Sequence, residues 1–416
     1  MKTDKSELKK GFTTRIIHTE YARQDAYNSL QIPIYENVAF EFKTAEDMAI
    51  AFTSVDAAPA YSRIANPTVE GFERRVAEIT GAIGVMAVNS GMAAISSTFI
   101  ELASAGSNIV TSAHLFGNTF GFFKNTLAPF NVEVRFVDLL DLKAVDEAID
   151  EHTCALFLEV LTNPHLEVAN ISELAQIAHN KGVPLVADTT VVPFVCFNAG
   201  QFGVDIEIVS STKYISGGGT SLGGLIIDHG QFDWSKSKKI APMAQQFGEK
   251  AFTMKLRKEI HRTMGSYMSA HSANMQSLGL ETMEIRYKRS SESCNFVAHS
   301  LLSIREIQSV NYTGFDSNQF YAISLAQFGK NPSSMLTFRL ESKEACFTFL
   351  NRLKFIKRAT NLFDNRTLII HPASTIYGNY TAEVRAQMGI DDRDIRLSIG
   401  LEDPNDLLND IKQALA

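Results

Sequence analysis

Tryptophan occurs once and cysteine four times in this chain of 416 residues, and the scarcity of cysteine is informative. Cys154, Cys196, Cys294 and Cys346 stand far apart, with no C-x-x-C pair and no Cys/His spacing. That excludes a disulfide scaffold and a structural zinc site, and no metal is expected. No apolar run is long enough to span a bilayer. The first residues, MKTDKSELKKGFTT, are charged and lack the apolar stretch of a secretory signal. A reducing, cytoplasmic setting is therefore expected. Positive charge is also short: the net charge of −7 leaves no footprint for nucleic acid. Two nucleotide signatures are missing as well. No G-x-G-x-x-G opens a helix after the first strand-like run, and no G-x-x-x-x-G-K-[ST] occurs anywhere. Hydride transfer on a dinucleotide fold and P-loop chemistry are both poor readings.

What is present is apolar and ordered in pattern. Hydrophobic residues make up 45% of the chain, and its length exceeds the roughly 250–300 residues that one core usually serves. Residues 1–60 read as an irregular arm with a strand-like patch near Pro33. Residues 61–280 read as a large α/β domain. Within it, PTVEGFERRVAEIT begins with proline like an amphipathic helix. Short buried strands follow in GVMAV, SNIVTS, VEVRFV, CALFLEV and VPLVAD, with helical segments such as ISELAQIAHNKG between them. That alternation predicts a mostly parallel sheet covered on both faces. It fades after Gly224. A long helical stretch over Leu280–Leu302 leads into a smaller α+β domain spanning 281–416.

The chemistry concentrates in Asp205–Leu225, which reads DIEIVSSTKYISGGGTSLGGL. A buried β run ends at Ser210-Ser211-Thr212-Lys213, and glycines follow. A lysine past a strand end among small hydroxyls suits attachment of pyridoxal phosphate (PLP), which needs an amine able to lose its proton and donors for phosphate oxygens. Asp188 closes another buried run. It reads either as a carboxylate for the pyridine nitrogen or as a helix cap. Ser90-Gly91-Met92 precede a helical run whose free amides suit phosphate, or make an ordinary cap and turn. Phe116 reads as a stacking ring or as simple core. Arg396 enters a strand-like run, either as an unremarkable edge charge or as a fork for a carboxylate.

In order, PIYENVAFEF, YSRIANPTVEGFERRVAEITGA, VNSGMAAI, LTNPHLEVANI, VADTT, SSTKYISGG, GLETMEIR, LIIHPAST and RLSIGLED resemble the PLP-dependent transsulfuration family of cysteine and methionine metabolism. The resemblance covers nearly the whole chain and implies the fold type I of PLP-dependent transferases. It makes Lys213 the residue that carries the cofactor and later shuttles protons, and Asp188 the partner of the pyridine nitrogen. Ser90, Gly91, Met92, Ser210 and Thr212 would bind the phosphate, with Asn163 and Thr190 as polar contacts to the ring. Tyr61 and Arg63 would reach the phosphate of a neighbouring subunit, implying a dimeric catalytic unit and usually a tetramer. Arg396, with Asn361, would hold the substrate. One departure stands out: the family's usual stacking tyrosine is Phe116 here, so a ring remains and a hydroxyl is lost. Lys213 or Tyr61 would then supply the missing acid. A long segment after GGLI, the motif GLET, and YSR in place of YTR resemble the O-acetylhomoserine sulfhydrylase branch. Expected alternatives are γ-elimination, cystathionine γ-synthase and O-succinylhomoserine sulfhydrylase chemistry.

Overall fold

The computed structural model describes residues 10–21, 25–53 and 59–416. Residues 1–9, most of the charged opening stretch, lie outside that range, as do other parts of the arm. The arm is less irregular than its sequence suggests in one respect, carrying helices Phe12–Ile17 and Ala45–Thr53. The strand expected near Pro33 does not form. Among the described residues only an isolated bridge joins this segment, Ala39 to Tyr61, and none of their strands offers it a ladder.

Seven strands build the large sheet: β1 Gly84–Val88, β2 Asn108–Thr111, β3 Glu133–Phe136, β4 Thr153–Glu159, β5 Leu185–Asp188, β6 Ile206–Val209 and β7 Gly224–Asp228. Their order is β1-β7-β6-β5-β4-β2-β3. β7 alone runs antiparallel, to both its neighbours. No helix lies between β6 and β7, and a parallel return would need such a crossover. The carboxyl ends of the other six strands therefore gather at one edge. Alternate strand residues feed two cores, which is why these runs look continuously apolar: Val85, Leu156, Leu158 and Leu185 pack on one face, Met86, Ala155, Phe157 and Val186 on the other.

Helix Pro67–Thr80 starts with Asn66 capping Thr68 and ends at Gly81, whose φ of 74° suits glycine. Helix Gly91–Leu102 is capped by the Ser90 hydroxyl, which accepts from Ala93 N. At its far end Lys239 Nζ donates to the carbonyls of Ile100 and Ala103.

The second sheet contains β8 Ser309–Asn311, β9 Met335–Arg339, β10 Lys357–Arg358, β11 Leu368–Ile370 and β12 Asp394–Ser398, in the order β10-β11-β12-β9-β8. It has its own core with helices Met283–Leu301, Lys343–Arg352 and Pro404–Leu415. On β12, Ile395 and Leu397 enter that core, which leaves Arg396 on the opposite face. The predicted long helix over 280–302 is observed from Met283, after a break at Thr282.

Candidate active site

The carboxyl edge of the large sheet supplies most of one cavity of about 960 Å³, a size suited to a small ligand. β1 delivers Ser90, Gly91 and Met92; the segment after β2 delivers Phe116. β4 ends at Glu159 and leads to Asn163, β5 ends at Asp188, and the loop after β6 delivers Ser210, Thr212 and Lys213. Thr190 lines the same space. From the second sheet and its loops come Asn361 and Arg396.

Lys213 donates to Asn361 Oδ1 over 2.7 Å. Burial, helped by the nearby positive charge of Arg396, pulls its amine down to about 8. An amine there is neutral in a useful fraction at physiological pH, whereas an exposed lysine is not. Asp188 Oδ1 accepts from Thr190 N over 2.9 Å, and no helix begins at that point, so the cap reading fails. Burial pushes this carboxyl upward, against the pull of its Thr190 hydrogen bonds. A cationic partner in the cavity would favour the charged form. The Thr190 hydroxyl in turn accepts from Ser210 N over 2.8 Å, tying β5 to the lysine loop.

Phosphate-binding character sits where helix Gly91–Leu102 begins. With Ser90 satisfying Ala93, the first amides of the helix stay unpaired within it. A Cβ on Gly91 would come within 2.7 Å of Ser210 Cβ, so only glycine lets the helix start lie this close to the lysine loop. The Thr212 hydroxyl is turned elsewhere: it accepts from Gly223 N and donates to Gly223 O, bracing the loop.

Arg396 is 2% exposed, yet among the described residues no carboxylate pairs with it. Nη1 donates to Asn163 Oδ1 over 3.2 Å and Nη2 to the carbonyls of Thr360 and Asn361, while Nε has no partner. Burial pulls the guanidinium down to about 10, still charged at neutral pH. A buried charge without a counter-ion is costly, and an anionic ligand would relieve it.

Tyr61 and Arg63 do not join this cavity. Tyr61 is 39% exposed, Arg63 lies over its ring at 5.4 Å, and Arg63 donates to the Arg262 carbonyl. A separate cavity of about 730 Å³, beside Phe52 and helix Pro67–Thr80, holds none of the expected site residues. Sequence reasoning missed Glu159, which accepts from Phe116 N over 2.6 Å. Burial and the charge of Asp188 push it up to about 8.

The Cys/Met metabolism PLP-dependent enzyme family matches residues 13–416. The chain belongs to that family. O-acetyl-L-homoserine sulfhydrylase of Corynebacterium glutamicum is 33% identical, covering 98% of this chain and 97% of that protein. L-methionine γ-lyase of Pseudomonas putida is also 33% identical, over 97% of each. Among solved structures, an O-acetylhomoserine (thiol)-lyase of Campylobacter jejuni is 31% identical with a TM-score of 0.90, over 98% of this chain and all 100% of that one. It carries N'-pyridoxyl-lysine 5'-monophosphate. An O-acetylhomoserine sulfhydrylase of Wolinella succinogenes is 47% identical with a TM-score of 0.77, over 85% and 99% respectively.

The fold is the type I fold of PLP enzymes, and PLP is the cofactor of the family. The cavity fits it: a low-pKa amine at Lys213, a carboxyl at Asp188, an open helix start cradled against Ser210, and an unpaired guanidinium for a second anion.

Proposed function

We propose that this enzyme replaces the γ-acetoxy group of O-acetyl-L-homoserine with sulfide or methanethiol, giving homocysteine or methionine plus acetate. Likeness over 85–98% of this chain to proteins named O-acetylhomoserine sulfhydrylase or (thiol)-lyase carries this reading. The cavity supports it by placing one amine and one unpaired guanidinium on either side of Asn361.

Bound PLP supplies an electron sink for charge developing at the substrate's Cα. Asp188 would keep the pyridine nitrogen protonated. Ser90, Gly91, Met92 and Ser210 would hold the phosphate, and Phe116 would pack on the ring. Asn163 keeps the Arg396 fork facing the cavity, where it would bind the substrate carboxylate. Lys213 Nζ would take the proton from Cα, hand it on to the bound cofactor and, neutral again, serve as the base at Cβ, so that acetate leaves from Cγ. Phe116 has no hydroxyl to protonate the leaving group, and acetate, as a stable anion, needs little protonation. Sulfide would then add at Cγ, and Lys213 would return one proton to Cβ and, last, one to Cα.

Tyr61 and Arg63 support a homo-oligomeric site, since both sit outside the cavity of their own chain and would serve a neighbouring one. Residues 1–60, 61–280 and 281–416 serve in this scheme as arm, PLP-binding large domain and small C-terminal domain. γ-Elimination is the second reading, favoured by the likeness to L-methionine γ-lyase.

Product analysis by mass spectrometry with O-acetyl-L-homoserine, with and without sulfide, decides between them. Homocysteine formed only with sulfide, and little 2-oxobutyrate without it, is the expected result. Abundant 2-oxobutyrate and ammonia in the absence of sulfide would move the enzyme to the lyases.

A further inference from the structure

We infer that Asp364 is a positioning residue for proton transfer by Lys213, acting through the side-chain amide of Asn361. The inference deepens the γ-replacement reading and revises the expected role of Asn361, from a substrate contact to the seat of the lysine amine.

Asn361 touches both working groups. Its Oδ1 accepts from Lys213 Nζ over 2.7 Å, and its backbone carbonyl accepts from Arg396 Nη2 over 3.3 Å. Its Nδ2 donates to Asp364 Oδ2 over 3.3 Å. Asp364 is 8% exposed, and its other oxygen accepts from Arg366 N over 3.0 Å. Among the described residues, Asp364 makes no direct ion pair with Lys213; its ion pair is with Arg366. Its contact with the lysine therefore runs through the amide.

An ionised carboxylate only accepts hydrogen bonds, so the amide must turn its NH₂ toward Asp364 and its oxygen toward Lys213. The consequence is chemical. A neutral amine that donates to Oδ1 keeps its lone pair free for a proton. The flipped amide would present NH₂ to Nζ, donate into that lone pair and disable the base. The step served is simple in its balance: the Cα–H bond breaks, an N–H bond forms at Nζ, and the electron pair left at Cα passes to bound PLP.

The lysine loop is shaped around this pair. Gly219 has φ of +61°, and a Cβ there would stand 2.6 Å from Asp364 Oδ2. Asn365 N donates to Gly217 O over 2.7 Å, clamping the two loops together. Gly219 thus allows the close approach to Asp364, which no phosphate role explains. The charges facing Lys213 are Arg396, which lowers its pKa, and Asp364, which raises it; Asp188 and Glu159 line the same cavity.

The test uses full-length holoenzyme and Asp364→Asn, with L-norleucine, which has an α-proton and no leaving group. Exchange of that proton with deuterated water, followed by NMR, is expected to fall about tenfold or more. The KM for O-acetyl-L-homoserine should stay within about twofold, because Arg396 is untouched. In cofactor-free protein, competitive acetylation should report a lower pKa for Lys213, since a negative charge is gone. Asp364→Glu should recover part of the exchange.

A second background guards against a folding defect. In Asn361→Ser, a hydroxyl accepts from Lys213 without help, so adding Asp364→Asn should cost little more exchange. An equal loss in both backgrounds, or wild-type exchange in Asp364→Asn, overturns the inference. Wild-type enzyme that exchanges norleucine but forms no homocysteine sinks only the γ-replacement reading.

Discussion

Glu159 and Asp188 close adjacent parallel strands in register, so two carboxyl groups share one strand edge at the floor of the cavity. Burial raises both, and the charge of Asp188 adds to the rise at Glu159. At neutral pH the pair holds a proton that two separate carboxylates would have lost. Glu159 also accepts from the amides of Phe116 and Asn163, so it pins two segments of the cavity wall.

Glu159→Gln tests this pairing. The folded protein binds the Glu159 proton more tightly than the unfolded chain does. Its contribution is full below the ordinary carboxylate range and is lost as pH rises toward about 8. The Tm of cofactor-free wild type should therefore drop over that window more steeply than the Tm of the variant. Parallel curves from thermal scans at stepped pH would refute a buried, proton-holding Glu159.

Arg396→Lys keeps a charge and loses the fork. The KM for O-acetyl-L-homoserine should rise about tenfold to a hundredfold, with a smaller effect on kcat. Steady-state kinetics read this directly. An unchanged KM would remove Arg396 from the substrate site.

Phe116 separates stacking from acid catalysis. Phe116→Ala should weaken PLP binding by up to about tenfold, the scale of an aromatic contact. Phe116→Tyr should bind PLP as wild type does and leave acetate departure nearly unchanged. Cofactor titration by absorbance and the rate with O-acetyl-L-homoserine measure the two effects. A large rate gain in Phe116→Tyr would mean that a leaving-group acid is missing from this enzyme.

Mixed subunits test the sharing of sites. Lys213→Ala should lose about a thousandfold or more in turnover, as should follow from removing both the cofactor's seat and the base. Arg63→Ala should also be impaired if its guanidinium reaches a neighbour's phosphate. Co-refolding the two should regain activity, because one site in the mixed pair keeps both residues. No regain would place Arg63 within its own chain's architecture, beside Arg262.

Much of this could be read from the chain because buried strands announce themselves. GVMAV matches β1 residue for residue, CALFLEV overruns β4 by one position, and VPLVAD starts two residues ahead of β5. The same signal that marked Asp188, an acid late in an apolar run, also marks Glu159 in CALFLEV, where it went unused. Two features were beyond local pattern. β7 runs backward because of its connection, and periodicity carries no direction. The segment around Pro33 has strand-like composition, but a strand needs a partner that its sequence cannot name. The pairing of Asn361 with Lys213 spans 148 positions and depends on how two sheets face each other.

Helix Gly91–Leu102 has unequal ends. Lys239 already neutralises its carbonyl pole, while its amide pole opens into the cavity with, among the described residues, only the neutral Ser90 cap to answer it. The helix is thus a half-finished circuit that a dianion completes. Inorganic phosphate or sulfate at high concentration offers the same completion as the cofactor's own phosphate. The buffer in which the protein is stripped and reloaded consequently acts as a competing ligand.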